Sequence, residues 1–298
     1  MVAGLKKWVE NIDKQIEQNK GKNLFYESAD TSFHFINETI SSIEKIGNIT
    51  EQQENILMDY ATDKVLEEFC RINQYYSFDK EAKLALRNLY AELFDRIKKR
   101  SDSTDEISDA HYKNLKEWLQ KTNPFAEKIY RDKENRIEPV ACSEYSAALQ
   151  MDIFHIDISQ IMEPVLDIGC GKQGNLVAYL RTQKMEVYGI DRFAEESPFI
   201  TKADWLEYQF GTSKWGTIIS NLGFSNHFYH HHLRGDGNFL EYAAKYTEIL
   251  HSLKTGGCFY YAPALSFIEK YLDKDTFSIK NQNIRPYNFE TTAISKLK

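Results

Sequence analysis

The stretch EPVLDIGCGKQGNLVAYLRTQKMEVYGIDR, residues 163–192, constrains the fold more tightly than any other part of the chain. Val165, Leu166 and Ile168 form a short apolar run that ends at Gly169, Gly171 and Gly174. After these glycines Leu176, Val177 and Leu180 recur at helical spacing. A buried parallel strand feeding a helix through a glycine-rich turn is the simplest account. Glycines there let the backbone approach a ligand closely, and the N–H groups of the helix's first turn face any anion that sits before them. A second apolar run, Val187 to Ile190, ends in Asp191, 20 residues beyond Gly171. An acid at that place can accept hydrogen bonds from both hydroxyls of a ribose, so the stretch predicts a nucleotide-cofactor site.

The spacing Gly169-x-Gly171-x-x-Gly174 fits the dinucleotide fingerprint as well, which leaves two cofactor classes open. Asp167, two residues before the first glycine, separates them. A dinucleotide would bring its pyrophosphate against this carboxylate, a clash of like charges, whereas S-adenosyl-L-methionine (SAM) would bring its α-ammonium group and gain from it. Val165 to Gly171, VLDIGCG, with Asp191 following, resembles the first two motifs of the class I SAM-dependent methyltransferases. The resemblance covers roughly the C-terminal half and names no substrate. It implies an α/β fold, a Rossmann-like seven-stranded sheet flanked by helices, with SAM as cofactor and Asp167, Gly169, Cys170, Gly171, Gly174 and Asp191 around it.

With 298 residues, the chain has room for about two domains. Net charge is −7 and both halves are acidic, which argues against nucleic acid as the main partner because phosphate binding needs a clustered positive face. Lys98, Lys99 and Arg100 form one short basic run, but it closes a helical pattern, where cations suit the helix dipole. The cysteines Cys70, Cys142, Cys170 and Cys258 are scattered without paired spacing, so neither a zinc knuckle nor a disulfide framework is indicated. The amphipathic start, MVAGLKKWVENIDKQIEQ, has no secretory core and no later run approaches membrane-spanning length, so a cytoplasmic protein is expected.

Residues 1–130 read as an all-α helical bundle that precedes the sheet. Thr50 and Gln53 make a capping box ahead of the periodic face Ile56, Leu57, Tyr60, Ala61, Val65, Leu66 and Phe69. A second helix covers 79–100, and the polar SDSTDEISD after it reads as a turn or loop. Further helices are expected over 5–18, 33–46 and 111–120. Trp8, Phe35, Tyr75, Tyr76 and Trp118 read as core aromatics. This domain would cap a substrate site or make a homodimer. The polar segment 131–139, RDKENRIEP, is the expected linker, and 140–298 the expected catalytic domain. A helix over 143–154 precedes the first strand; in the methyltransferases such an element often closes over the cofactor, so Tyr145 would line the pocket, packing on the sheet being the alternative. Strands are expected at 205–210, 217–222 and 258–261, the last reached through a helix-stopping pair, Gly256 and Gly257, and two more from 277 to the end.

Within the resemblance, Asp204, placed just before the expected third strand, would accept from the adenine amino group with Trp205 beside the ring. Asn221 and Leu222, ending the fourth, would support the methionine part of SAM. Amino-methyltransferases of DNA bases carry two prolines and an aromatic after this position. Here the run is Asn221-Leu222-Gly223-Phe224, which argues against methylation of a flipped base. Beyond it His227, Tyr229, His230, His231 and His232 crowd together, four of the chain's 8 histidines. Three readings stand: a catalytic base, for which His227 is nearest the expected methyl site; a metal site with Asp236 as an oxygen ligand; or packing and turn capping. The reading carried forward is a SAM-dependent methyltransferase acting on an oxygen or nitrogen of a small molecule, with His227 as base, Tyr145 and Tyr229 shaping the pocket, and no resident metal. An NAD-binding oxidoreductase and a SAM-binding module without catalysis are the alternatives.

Overall fold

The fold is that of a computed structural model, which describes the chain except residues 1–4, 27–32, 44, 46–48, 100–101, 132, 134, 138–144 and 285–288. The chain divides into two units, Met1–Cys142 and Ser143–Lys298.

The first unit is all helical among its described residues: α1 (Lys6–Asn19), α2 (Asn37–Ile43), α3 (Glu51–Ile72), α4 (Lys80–Lys99), α5 (Thr104–Thr122) and α6 (Phe125–Tyr130). The expected capping box opens α3: Gln53 N–H donates to Thr50 Oγ1 at 3.3 Å and Thr50 N–H to Gln53 Oε1 at 2.9 Å. The polar stretch after α4 is not a loop. Ser103 and Glu106 form a second capping box, with Ser103 N–H donating to Glu106 Oε2 at 2.8 Å, and α5 begins at Thr104. Its early polar residues lie on the exposed face while Ile107, His111, Leu115 and Trp118 turn inward at helical spacing. Trp118 stacks on Phe78 at 5.0 Å and donates its indole N–H to the Ala82 carbonyl at 2.9 Å. Part of the expected linker is tied into this unit: Ile137 N–H donates to the Gly21 carbonyl at 2.8 Å and Asn23 N–H to the Asn135 carbonyl at 2.7 Å. The rest of that linker, and the first residues of the helix expected over 143–154, lie partly outside the described residues.

The second unit opens with α7 (Ala147–Phe154), capped by Ser146 Oγ. It continues β1 (Val165–Ile168), α8 (Asn175–Thr182), β2 (Val187–Asp191), β3 (Ile200–Lys202), β4 (Trp215–Asn221), α9 (Phe224–Leu233), α10 (Phe239–Ser252), β5 (Leu253–Ala262), α11 (Ser266–Glu269), β6 (Phe277–Ile284) and β7 (Phe289–Lys296). The seven strands form one sheet in the order β3-β2-β1-β4-β5-β7-β6, with β1 to β5 parallel and β7 antiparallel to both its neighbours. Alternate residues of β1 enter two cores. Leu166 and Ile168 join Phe224, Phe228, Tyr242 and Tyr246 of α9 and α10, while Val165 joins Leu176 and Leu180 of α8 and Phe154 of α7. Each such aromatic or aliphatic chain, fully buried, contributes about 1.5–3 kcal/mol.

Two expectations about strands are corrected. Residues 205–210 are a turn and an irregular segment; the third strand is Ile200–Lys202, short and at the sheet edge. Trp205 and Phe210 are buried because they fold under the sheet into its core, which gives strand-like apolarity without a strand. Gly256 and Gly257 do not stop a helix. They lie inside β5 at a register shift against β4, where Trp215 pairs with Leu253 but Thr217 with Cys258, and Gly256 takes φ +80°.

Candidate active site

The strand order reverses direction between β1 and β4, and the carboxyl ends of those two strands carry most of the predicted residues. The turns leaving them meet glycine against glycine. A Cβ on Gly169 would lie 3.7 Å from the Gly223 Cα and 3.4 Å from Trp205 Cζ3, and Gly169 holds φ +77°. A side chain there would be strained and would fill the notch between the turns. At Gly174, which precedes α8, a Cβ would lie 2.4 Å from Ile200 Cδ1. Cys170 is buried between the turn and β2, its thiol against the Gly189 position.

Asp167 is 1% exposed and its Oδ2 has no hydrogen-bond partner. Burial, and then the neighbouring Asp191 charge, push its carboxyl up to about 7. Such a group is costly in a folded protein unless a ligand uses it. Asp191, at the end of β2, accepts from Gly171 N–H at 3.3 Å on one oxygen and from Phe193 N–H at 2.8 Å on the other. It therefore pins the glycine turn, and a carboxylate's roughly four acceptor sites leave capacity for a ligand.

At the end of β4, the side-chain amide of Asn221 has neither its oxygen nor its nitrogen bonded. Leu222 follows in the left-handed region at φ +52°, its N–H donating to the Ala262 carbonyl at 3.0 Å. Strained non-glycine backbone next to unbonded buried amide atoms is the pattern of a ligand-facing edge.

Asp204 lies after the third strand, not before it, on the carboxyl side where ligands bind. Its Oδ1 accepts Leu206 N–H at 2.9 Å, and Ala203 N–H donates to the Asp191 carbonyl at 3.1 Å, holding the segment beside β2. Trp205 is buried, with its ring 4.9 Å from that of His227 in an edge contact. Its indole N–H is near enough to the Tyr242 hydroxyl to affect that group's acidity but makes no hydrogen bond of ordinary geometry.

The histidine run lies on helix α9, and the helix separates its members. His227 and His231, four residues apart, face inward and are 3% and 5% exposed. His231 Nδ1 accepts from Asn238 N–H at 3.0 Å and its ring stacks on Tyr242 at 4.8 Å, so it fixes the loop into α10. His232 stacks on Phe267 at 3.8 Å, and His230 lies 3.2 Å from an Arg234 guanidinium nitrogen. Among the described residues, no group of three or more His, Cys, Asp and Glu side chains is placed to hold a metal. His227 alone of the four contacts Trp205. Burial, then the charges of Arg192, His231 and His230, hold it well below the usual histidine range, so it is neutral at physiological pH. Tyr229 is exposed and packs on Phe267 at 6.2 Å, about 200° around the helix from His227, and so away from the cluster. Tyr145 is half-buried, and its carbonyl accepts from Asn175 Nδ2 at 3.4 Å, which sets it beside the start of α8.

No protein-family profile and no curated protein sequence matches the chain. Among solved structures it is similar to a TehB-like SAM-dependent methyltransferase from Corynebacterium glutamicum, 19% identical over 47% of this chain and 85% of that one, TM-score 0.33. It is similar also to an rRNA methylase from Streptococcus thermophilus, 14% identical over 53% of this chain and 100% of that one, TM-score 0.36. A third is a SAM-dependent methyltransferase from Bacteroides fragilis in complex with S-adenosyl-L-homocysteine, 11% identical over 47% of this chain and 75% of that one, TM-score 0.32. The strand order defines the class: five parallel strands closed by an antiparallel terminal hairpin make the sheet of the class I SAM-dependent methyltransferases. The chain has that fold, preceded by a helical unit.

Proposed function

We propose that the C-terminal unit binds SAM at the carboxyl ends of β1 and β4 and transfers its methyl group to an oxygen or nitrogen of a small molecule. The observation that carries the proposal is Asp167. A buried acid with an unbonded oxygen, beside the glycine turn, suits a cationic ligand and repels an anionic one. Bound SAM supplies a sulfonium that is already a reactive methyl donor, so the protein's task is placement.

In this reading Asp167 holds the α-ammonium, and the Gly169–Gly174 turn with Cys170 and the first N–H groups of α8 receive the carboxylate. Asp191 takes the ribose hydroxyls, Asp204 and Trp205 the adenine. Asn221 bonds the methionine part with its unused amide, and the kink at Leu222 aims the chain so that it can. His227, neutral and buried, accepts the nucleophile's proton. Its weak basicity is tolerable because one positive charge leaves the site as the proton arrives, so the total charge is unchanged. Tyr145 borders the cofactor pocket, whereas Tyr229, on the far side of α9 from His227, has no part in it.

Calorimetric titration with SAM, S-adenosyl-L-homocysteine and NAD tests the cofactor. Saturable binding of the first two, lost in Asp191→Ala, with no response to NAD, is expected. Binding of NAD alone would move the chain to nicotinamide chemistry, and SAM binding without turnover on any acceptor would make it a binding module.

A further inference from the structure

The helical unit holds a cavity of about 170 Å³, walled by α1 to α5 and partly open to solvent. Protein interiors contain few voids larger than a water molecule, so an opening of this size amid α3, α4 and α5 is not ordinary packing. Its walls are almost wholly apolar, with Leu57, Phe69, Phe94 and Leu115 among them. Most of the polar lining residues are bonded to one another. Gln15 and Asn19 both donate to the Tyr112 hydroxyl, at 3.1 and 2.7 Å, and Asn11 donates to Ser42 at 2.7 Å. Lys22 donates to Asn19 at 3.1 Å, Thr39 to Gln15 at 2.8 Å, and Glu68 accepts from Arg71 at 2.6 Å.

Among the described residues, the imidazole of His111 stands apart from this network. His111 lines the cavity, is 7% exposed, and its Nδ1 has no hydrogen-bond partner. Aromatic rings surround it: Tyr112, Tyr90 and Phe35 lie with centroids 5.1, 5.3 and 5.9 Å away. Burial keeps the imidazole uncharged, lowering it to about 4. An apolar cavity of about 150 Å³ with such walls takes up benzene.

We infer that this cavity is a binding site for a small monocyclic phenol, its ring among the apolar and aromatic walls and its hydroxyl bonded to the His111 imidazole. A hydroxyl suits either histidine tautomer, since it donates to a bare ring nitrogen and accepts from a protonated one. The aromatic walls favour a ring over an alkyl chain through offset and edge contacts. The site lies wholly within the helical unit and does not depend on the methyl-transfer reading.

The test uses 19F NMR on the full chain at neutral pH, with 4-fluorophenol and fluorobenzene as probes. Saturable binding of 4-fluorophenol, displaced by p-cresol and at least about ten-fold tighter than that of fluorobenzene, is expected from one hydrogen bond to an otherwise unpaired group. His111→Phe should bring the two probes to equal affinity. Ala61→Leu, which adds bulk to the wall on α3 and leaves His111 in place, should weaken both by at least about ten-fold. It carries the test if His111→Phe does not fold, and it separates this cavity from any site in the other unit. No saturable binding of 4-fluorophenol, equal affinity of the two probes for the unaltered protein, or binding unaffected by Ala61→Leu would each overturn the inference.

Discussion

The electrostatic state of Asp167 gives the sharpest test of the cofactor site. With its carboxyl pushed up to about 7, the side chain is ionised in only about one molecule in ten at pH 6 and about one in a hundred at pH 5. If the ligand's ammonium needs the carboxylate, the apparent affinity falls in the same proportion. SAM should then bind about ten-fold more weakly at pH 6 than at pH 8, and about a hundred-fold more weakly at pH 5. Binding at pH 6 should also release nearly one proton, seen calorimetrically as an enthalpy that differs between phosphate and Tris by their ionisation heats. Asp167→Asn should abolish both effects and weaken binding at pH 8 by roughly 2 kcal/mol, the scale of a charge-assisted hydrogen bond. The unbound protein supplies a second sign. Because the folded state holds this proton more tightly than the unfolded one, stability contributed by the protonated acid is present below pH 3.8 and is lost as pH rises towards 7. The loss is at most roughly 4 kcal/mol. Asp167→Asn should therefore raise the denaturant midpoint at pH 8 while lowering affinity. Flat affinity between pH 8 and 5, with no buffer dependence, would refute the argument.

Three further outcomes follow from local geometry. Leu222 sits at φ +52°, which a β-branched side chain tolerates poorly; Leu222→Val should be about 1 kcal/mol less stable than Leu222→Ala despite burying more, and urea melts showing the valine protein equal or better would sink the strain argument. Removing the hydroxyl of Ser103 should cost about 1 kcal/mol through loss of the cap on α5, whereas an unchanged melting temperature in Ser103→Ala would mean that the box contributes nothing. His231 is held neutral, at about 4, chiefly by burial, so stability is full above the ordinary value of 6.5 and is lost as pH falls towards 4, by at most about 3 kcal/mol. His231→Gln, which keeps an acceptor for Asn238 N–H, should flatten that acid limb of the denaturation midpoint, and an unaltered slope would assign the proton uptake elsewhere.

The parts of the fold legible in the sequence are those where one local rule acts alone. The run from β1 through α8 to β2 could be read because strands buried on both faces are continuously apolar and because the glycines end the first of them. The start of α3 could be read because Thr50 and Gln53 precede a clean periodic face. The same capping rule applies at Ser103 and Glu106, but there the acids and serines of 101–109 resemble a loop until Ile107, His111 and Leu115 are seen to share one face. The third strand was hidden because Ile200–Lys202 is three residues at an edge, two of them exposed, while Trp205 and Phe210 carry the stronger apolar signal from an irregular segment. That shift moves Asp204 from before a strand to after one, which is what places it on the ligand side of the sheet. The histidine run concealed helix α9 in another way. Phe224, His227, Phe228 and His231 have the spacing of a buried face, but half of that face is imidazole, a side chain that reads as chemistry before it reads as packing. Asn221 shows the opposite limit. Nothing in its spacing distinguishes it from any strand-end amide, and its standing as a site residue rests on two buried atoms that have no partner within the protein. His111 is marked by the same sign in the helical unit, and an orphaned buried polar atom is a property of the folded neighbourhood that no linear pattern can encode.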